Sequence, residues 1–563
     1  MLLLALVTAC GGREAAPKGR ALWELDLSVP MAETGDAPWG QAHATHHDVL
    51  ERLRQAADDP DAAGLFLHVA AMEGAWARVE DLQGAVERVR KAKKPVHCYA
   101  ETTDNLGYAL LARACDRISL TPEGVLNLIG PRAEVLYAHD LLQLLGVTAE
   151  LIQIGRYKGV AESFTRTEMT PETRETLDRL LDQLHARLVA DIGKGRSLDA
   201  ERVGALIDQG PFTAGAAREA RLVDAIAFDD EARERARQAA KAPRVRRIPL
   251  VEAREAPSLF GLLRAMRGGT KKTPDEPRIV LAFLDGTILS GDEQKVRSSH
   301  ATPFVAAMRR FADDKDVRAV VLRIDSPGGS ALASDRMWHA VRRVAKRKPV
   351  IVSIGDMAAS GGYYVACAGT EILARDSSLV GSIGVVGGKV VFEDLASRVG
   401  LRVETLKRGR NAGWMSPFTR FSDGERATLT RLAQSTYEGF VSRVAEGRKL
   451  ARADVLPWAE GRLMSGARAR EAHLVDREGG LGEAVALARA RAKLGDDAAV
   501  ETWPRERSLM EALSEWTGIE ARAPMLGRTL WPLADMPRSG ILDVLLANEA
   551  RVAAVLPWTL SIR

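Results

Sequence analysis

Cysteine is scarce in this chain, four residues in 563, which argues against a disulfide framework. Neither a Cys-x-x-Cys pair nor a His-Glu-x-x-His segment occurs, so the sequence predicts no metal and calls for no cofactor. Aromatic residues are also few, at 5%, and none interleaves with the basic runs Arg244-Val245-Arg246-Arg247 and Lys346-Arg347-Lys348. Those runs read as solvated faces. With a net charge of only +4, nothing demands a nucleic-acid partner. Long apolar stretches are missing too, which excludes a polytopic membrane chain and places the bulk in water.

What is present describes a folded body, 46% hydrophobic and 27% charged, of a length suited to two ordinary domains plus extras. Cys98, Cys115 and Cys367 sit in apolar settings and read as small buried residues. Cys10 differs. A short apolar run ends in Val7-Thr8-Ala9-Cys10 before Gly11-Gly12, which resembles a bacterial lipobox, although no Lys or Arg precedes it. Residues 1–20 are accordingly expected to be a lipoprotein signal and tether, with Cys10 the lipidated residue. The acyl chains would hold the protein on a membrane surface.

The strongest feature is an internal repeat. Residues 95–166 align over residues 349–420 without a gap, at a constant offset of 254. Gly107 meets Gly361, Ile129-Gly130 meets Ile383-Gly384, Glu150 meets Glu404, and Phe164-Thr165-Arg166 meets Phe418-Thr419-Arg420. One supersecondary pattern is used twice. Strands are expected at 21–29, 65–69 and 96–100, with helices at 49–56 and 79–90. The second copy repeats that order, with strands at 279–284, 319–324 and 350–354 and helices at 303–311 and 334–346. Such alternation predicts parallel βαβ units and an α/β fold. The domains are drawn at 21–245 and 278–495, with a connector at 246–277. A tail at 496–563 carries Trp503, Trp516, Trp531 and Trp558, lacks a visible counterpart in the first half, and has no assigned role. Leu259-Phe260-Gly261-Leu262-Leu263 in the connector reads as a helix packed on its own domain.

The copies differ where chemistry is expected. The second has Ser360 where the first has Leu106, and the first has Lys158 where the second has Ala412. Ser360 follows a strand in Asp356-Met357-Ala358-Ala359-Ser360-Gly361-Gly362, which presents a hydroxyl at the carboxyl end of a parallel sheet. The next N–H, that of Gly361, can meet an oxyanion. One strand earlier, Asp325-Ser326-Pro327-Gly328-Gly329-Ser330 is a second glycine loop with exposed N–H groups. Taken singly, the first motif is also a helix cap and the second a tight turn; together they point to acyl chemistry. No histidine of the second copy suits a triad. The base is therefore sought in Lys158, which must be buried and dry to act unprotonated.

In this combination the chain, from about residue 45 to 490, resembles the long form of bacterial signal peptide peptidase A, also called protease IV. The resemblance implies two tandem Clp-protease/crotonase-like βαβ superhelical domains, and a membrane-associated serine endopeptidase that degrades cleaved signal peptides and other hydrophobic peptides. It also implies Ser360 as nucleophile, Lys158 as general base and Ser382 as the residue orienting the amine. The oxyanion donors would be Gly361 with Gly328 or Gly329. A homo-oligomer, tetrameric by resemblance, anchored on the periplasmic side of the bacterial cell envelope, completes the expectation. Two rivals stand beside it: a non-catalytic scaffold lipoprotein of the same fold, and an acyl-CoA enzyme of crotonase type. Whether the dyad forms within a chain or between subunits stays open at this stage.

Overall fold

The computed structural model describes residues 19–504, apart from 30, 35–43, 73–75, 251–275 and 292–297, and the backbone of 552–555. Cys10, the 259–263 segment, Trp516, Trp531 and Trp558 lie outside the described residues.

The first unit contains strands β1 (Ala21–Asp26), β2 (Ala62–His68), β3 (Val96–Asp104), β4 (Arg117–Asn127), β5 (Thr148–Ile154), β6 (Phe212–Thr213), β7 (Ala225–Ile226) and β8 (Val245–Arg247). The second contains β9 (Arg278–Asp285), β10 (Thr287–Leu289), β11 (Ser298–His300), β12 (Val317–Ser326), β13 (Gly328–Ser330), β14 (Val350–Ala359), β15 (Glu371–Ala374), β16 (Leu379–Gly381), β17 (Val385–Val391), β18 (Leu463–Ser465), β19 (Arg477–Glu478) and β20 (Val500–Trp503). A last strand, β21 (Val552–Val555), stands far along the chain.

Each unit is built on a mostly parallel sheet. The first runs β6-β4-β3-β2-β1-β8 and the second β18-β16-β14-β12-β9-β20. Their inner strands are buried on both faces, so β2 and β14 read as nearly unbroken apolar runs. Helices cover the sheets. Thr45 and Asp48 cap the helix His46–Asp58 reciprocally, and Thr170 caps the 26-residue helix Pro171–Arg196 with proline in its first turn. Its counterpart Asp423–Arg448, also 26 residues, starts on a Ser422/Glu425 capping box. Two apolar clusters flank the first sheet and two flank the second.

Three sequence expectations need revision. Cys98 and Cys115, read as separate small buried residues, are joined in a disulfide with Cα atoms 6.0 Å apart. A separation of 17 residues matches no local cysteine motif, and only the return of β4 alongside β3 brings them together. Cys367 stays free and buried. Second, the tail does have a counterpart at its start: β20 pairs in parallel with β9 just as β8 pairs with β1. Trp503 packs edge-on against Phe304 and Phe311, at 5.9 and 6.4 Å, so it belongs to the second core. Third, Ile248 and Leu250, within the supposed connector, are buried. Short edge strands carry too little periodicity to be seen in sequence.

A third sheet, in the order β11-β10-β13-β21-β17-β5, joins the units. In it β5 of the first unit lies antiparallel to β17 of the second, from Thr148 opposite Val391 to Ile154 opposite Val385.

Candidate active site

Ser360 sits where β14 gives way to the helix Gly361–Ala366. Its backbone, at φ 54° and ψ −115°, lies outside both the helical and the extended regions, a state that costs on the order of 1–3 kcal/mol in a residue with a Cβ. Its N–H donates to the Gly381 carbonyl at 2.7 Å, which holds the turn. A β-carbon at Gly362 would come within 2.7 Å of the Ser326 carbonyl oxygen. Glycine there lets the new helix lie directly against the Ser326–Gly328 loop.

Lys158 arrives from the opposite side, four residues after β5, with its side chain fully buried. Its Nζ lies 2.7 Å from Ser360 Oγ, 2.9 Å from Ser382 Oγ and 3.0 Å from the Ser382 carbonyl oxygen. Among the described residues the amine has no carboxylate partner. Burial alone drives its pKa well below the ordinary lysine value. A neutral amine has two N–H bonds and one lone pair. The Ser382 carbonyl can only accept, and Ser382 Oγ can take the second N–H, so the lone pair is left facing the Ser360 hydroxyl. The arrangement can therefore remove a proton from Ser360.

A segment that sequence reasoning missed holds these pieces in register. The Tyr157 N–H donates to the Glu460 carbonyl at 2.8 Å, the Ser382 N–H to the Arg462 carbonyl at 2.7 Å, and the Gly461 N–H to the Ile383 carbonyl at 2.7 Å. Residues 460–462 thus grip the lysine loop and the Ser382 turn together. Gly461, at φ +78°, approaches so closely that a β-carbon there would stand 2.5 Å from the Lys158 backbone nitrogen. The Arg462 guanidinium lies 3.7 Å over the Tyr157 ring. Gly461 fell outside the aligned repeat, and no local motif marks it.

Gly328 and Gly329 form β13, flanking the site. Gly328 has φ +105°, and its N–H donates to Ser326 Oγ at 3.2 Å. At Gly329 a β-carbon would collide with the Ile288 carbonyl at 2.0 Å, so no other residue fits. The structure thus brings Ser360, Lys158, Ser382, Gly361 and the Gly328–Gly329 strand to one place.

Behind the site lies a buried ionic cluster between the units, also missed. Arg78 of the first unit pairs with Asp325 at 2.9 Å and Asp356 at 2.6 Å, the residues that open the two glycine-bearing segments. Burial, and then the Asp356 carboxylate beside it, push the Asp325 carboxyl up to about 8. Arg323, almost wholly buried, pairs with Glu33 at 3.1 Å, and Arg375 with Asp81 at 2.7 Å. The units therefore meet through charges whose partners are mutual, which makes their relative placement specific.

The family model Peptidase family S49 matches residues 88–243 and again 342–495. The chain is similar to a chloroplastic serine protease SPPA of Arabidopsis thaliana, 28% identical over 89% of this chain and 72% of that one. It is also similar to Protease 4 of Haemophilus influenzae, 27% identical over 86% of this chain and 82% of the relative. Protease 4 of Salmonella typhi is 29% identical over 79% of this chain and 72% of its own. A solved mutant of ClpP1 from Listeria monocytogenes aligns with 37% of this chain and 94% of its own, at 12% identity and a TM-score of 0.24.

Proposed function

This chain belongs to peptidase family S49 and is a serine peptidase of tandem form, and we propose that it works through a Ser360–Lys158 dyad. Neutral Lys158 takes the Ser360 proton as Oγ attacks the scissile carbonyl. The oxyanion is met by the N–H of Gly361 and that of Gly328 or Gly329. The ammonium formed keeps three acceptors, Ser360 Oγ and the two Ser382 oxygens, until its proton passes to the leaving amine. A water deprotonated by the same amine then releases the acyl group. The observation that carries this reading is the 2.7 Å approach to Ser360 Oγ of a fully buried amine that has no carboxylate partner among the described residues.

The test is direct. Ser360→Ala and Lys158→Met should each abolish hydrolysis of a fluorogenic apolar peptide while circular dichroism stays unchanged. Turnover retained by either purified variant overturns the dyad.

The substrates we propose are extended hydrophobic peptides, spent signal peptides among them, met at the exported face of a bacterial membrane to which Cys10 anchors the chain. The Cys98–Cys115 bridge supports an oxidising compartment of this kind. Metabolic labelling with a fatty acid, lost in Cys10→Ala, would test the anchor.

Assembly into a head-to-tail ring is also proposed. At the repeat offset of 254, β5 corresponds to residues 402–408 and β17 to residues 131–137. Neither stretch forms a strand in the single chain, and 402–408 is exposed throughout, with Leu406 92% accessible. Two such stretches outside any strand suit, between copies, the contact that β5 and β17 make within one. Sedimentation at a mass several times the 61.0 kDa chain is the expected result.

A further inference from the structure

The groove beside Ser360 already holds a strand of this chain. In the third sheet β13 and β17 do not pair with each other; β21 lies between them, antiparallel to both. On one side Ser330, Gly329 and Gly328 stand opposite Ala553, Ala554 and Val555. On the other, Gly387 and Val386 stand opposite Val552 and Ala553. The outer edges of β13 and β17 are taken by β10 and β5. What separates them is therefore a slot one strand wide, about 9–10 Å between its walls.

The register gives the strand a direction. Along β13 it advances from Ser330 toward Gly328 and the Ser326 loop against which the Ser360 helix lies. Along β17 it advances from Gly387 through Val386, toward Ser382. Both ladders carry its carboxyl end toward the point where Lys158 meets Ser360. A peptide awaiting attack must enter this way, with the residues before the scissile bond paired between the two walls and the next carbonyl delivered to the hydroxyl. The residues so placed, Val552-Ala553-Ala554-Val555, are small, apolar and uncharged.

We propose that the 552–555 segment is an internal ligand of the peptide groove, which competes with substrates in the position of their acyl side. By the same register, the groove takes extended peptides with short apolar residues before the cleaved bond. This rests on Ser360 being the nucleophile for its catalytic meaning, but not for the binding it asserts. A tethered segment has an effective concentration on the order of millimolar. If its free affinity is about a tenth of that value, occupancy in cis weakens a competing peptide about tenfold.

Two measurements on the full chain test it. Ala553→Pro with Val555→Pro removes ladder N–H groups. In a Ser360→Ala background, this pair of changes should tighten binding of a labelled apolar heptapeptide about tenfold by fluorescence polarisation; unchanged affinity overturns the proposal. In the Ser360→Ala chain without the proline changes, hydrogen exchange at residues 552–555 should be slow at rest and accelerate when the heptapeptide is added to saturation. Fast exchange at rest overturns it as well. Turnover surviving in Ser360→Ala would defeat the dyad and leave both binding results readable.

Discussion

Lys158 and Ser360 are 202 residues apart along the chain and 2.7 Å apart in space. Lys158 follows a strand of the first unit and Ser360 follows a strand of the second. Their meeting depends on β5 pairing with β17 and on residues 460–462 gripping both sides. The contact between amine and hydroxyl is thus made within one chain.

The first prediction concerns pH. Burial holds the Lys158 pKa well below its ordinary value of 10.5, and only the neutral amine can accept a proton. The kcat/KM for peptide hydrolysis should therefore rise with pH through that lowered pKa and level above it. Stability moves the same way. Between the folded pKa and 10.5 the unfolded chain binds the extra proton, so stability climbs by about 1.4 kcal/mol per pH unit from this group. Urea midpoints across that window should show the slope in the native chain and lose it in Lys158→Met.

Ser382→Ala removes one of the two Ser382 oxygens held by the amine. A hydrogen bond to a charged group contributes about 1.5–3 kcal/mol, so kcat should fall tenfold or more. The ammonium loses an acceptor, so the acidic limb of the pH profile should shift to lower pH. A drop in rate with an unmoved limb would assign Ser382 to folding alone.

Gly461→Ala would set a methyl group 2.5 Å from the Lys158 backbone nitrogen at a backbone φ of +78°. Peptidase activity should collapse, with a loss of about 2 kcal/mol or more in stability. Gly439→Ala is the contrasting case. It lies within the helix Asp423–Arg448 with open space at its Cβ, and alanine there should stabilise by about 0.5–1 kcal/mol with full activity.

Alkylation under non-reducing, denaturing conditions should modify Cys367 and spare Cys98 and Cys115. Replacing the bridged pair by alanine should lower stability by about 3 kcal/mol, given the 17-residue separation that the bond closes. Two modified thiols at 98 and 115 in protein made in an oxidising compartment would disprove the bridge.

Much of the architecture was legible because βαβ alternation is written in local periodicity. The strands expected at 96–100 and 350–354 appear, lengthened to Val96–Asp104 and Val350–Ala359. Divided placement of Ser360 and Lys158 was legible for a related reason: a repeat makes each substitution visible against its own copy. β8 and β20 were not, being only three and four residues long. Nothing in the sequence singles out Arg78, since its carboxylate partners lie 247 and 278 residues away.

By itself, the order of residues determined two α/β units, the glycine-bearing turns and the split of hydroxyl from amine between halves, because each depends on spacing within a few turns or strands. Tertiary structure alone decided that the amine is dry, that the 460–462 segment locks it, that Cys98 finds Cys115, and that residues 552–555 pair between β13 and β17. Desolvation and long-range strand pairing are properties of what surrounds a residue in space, and no local pattern encodes them.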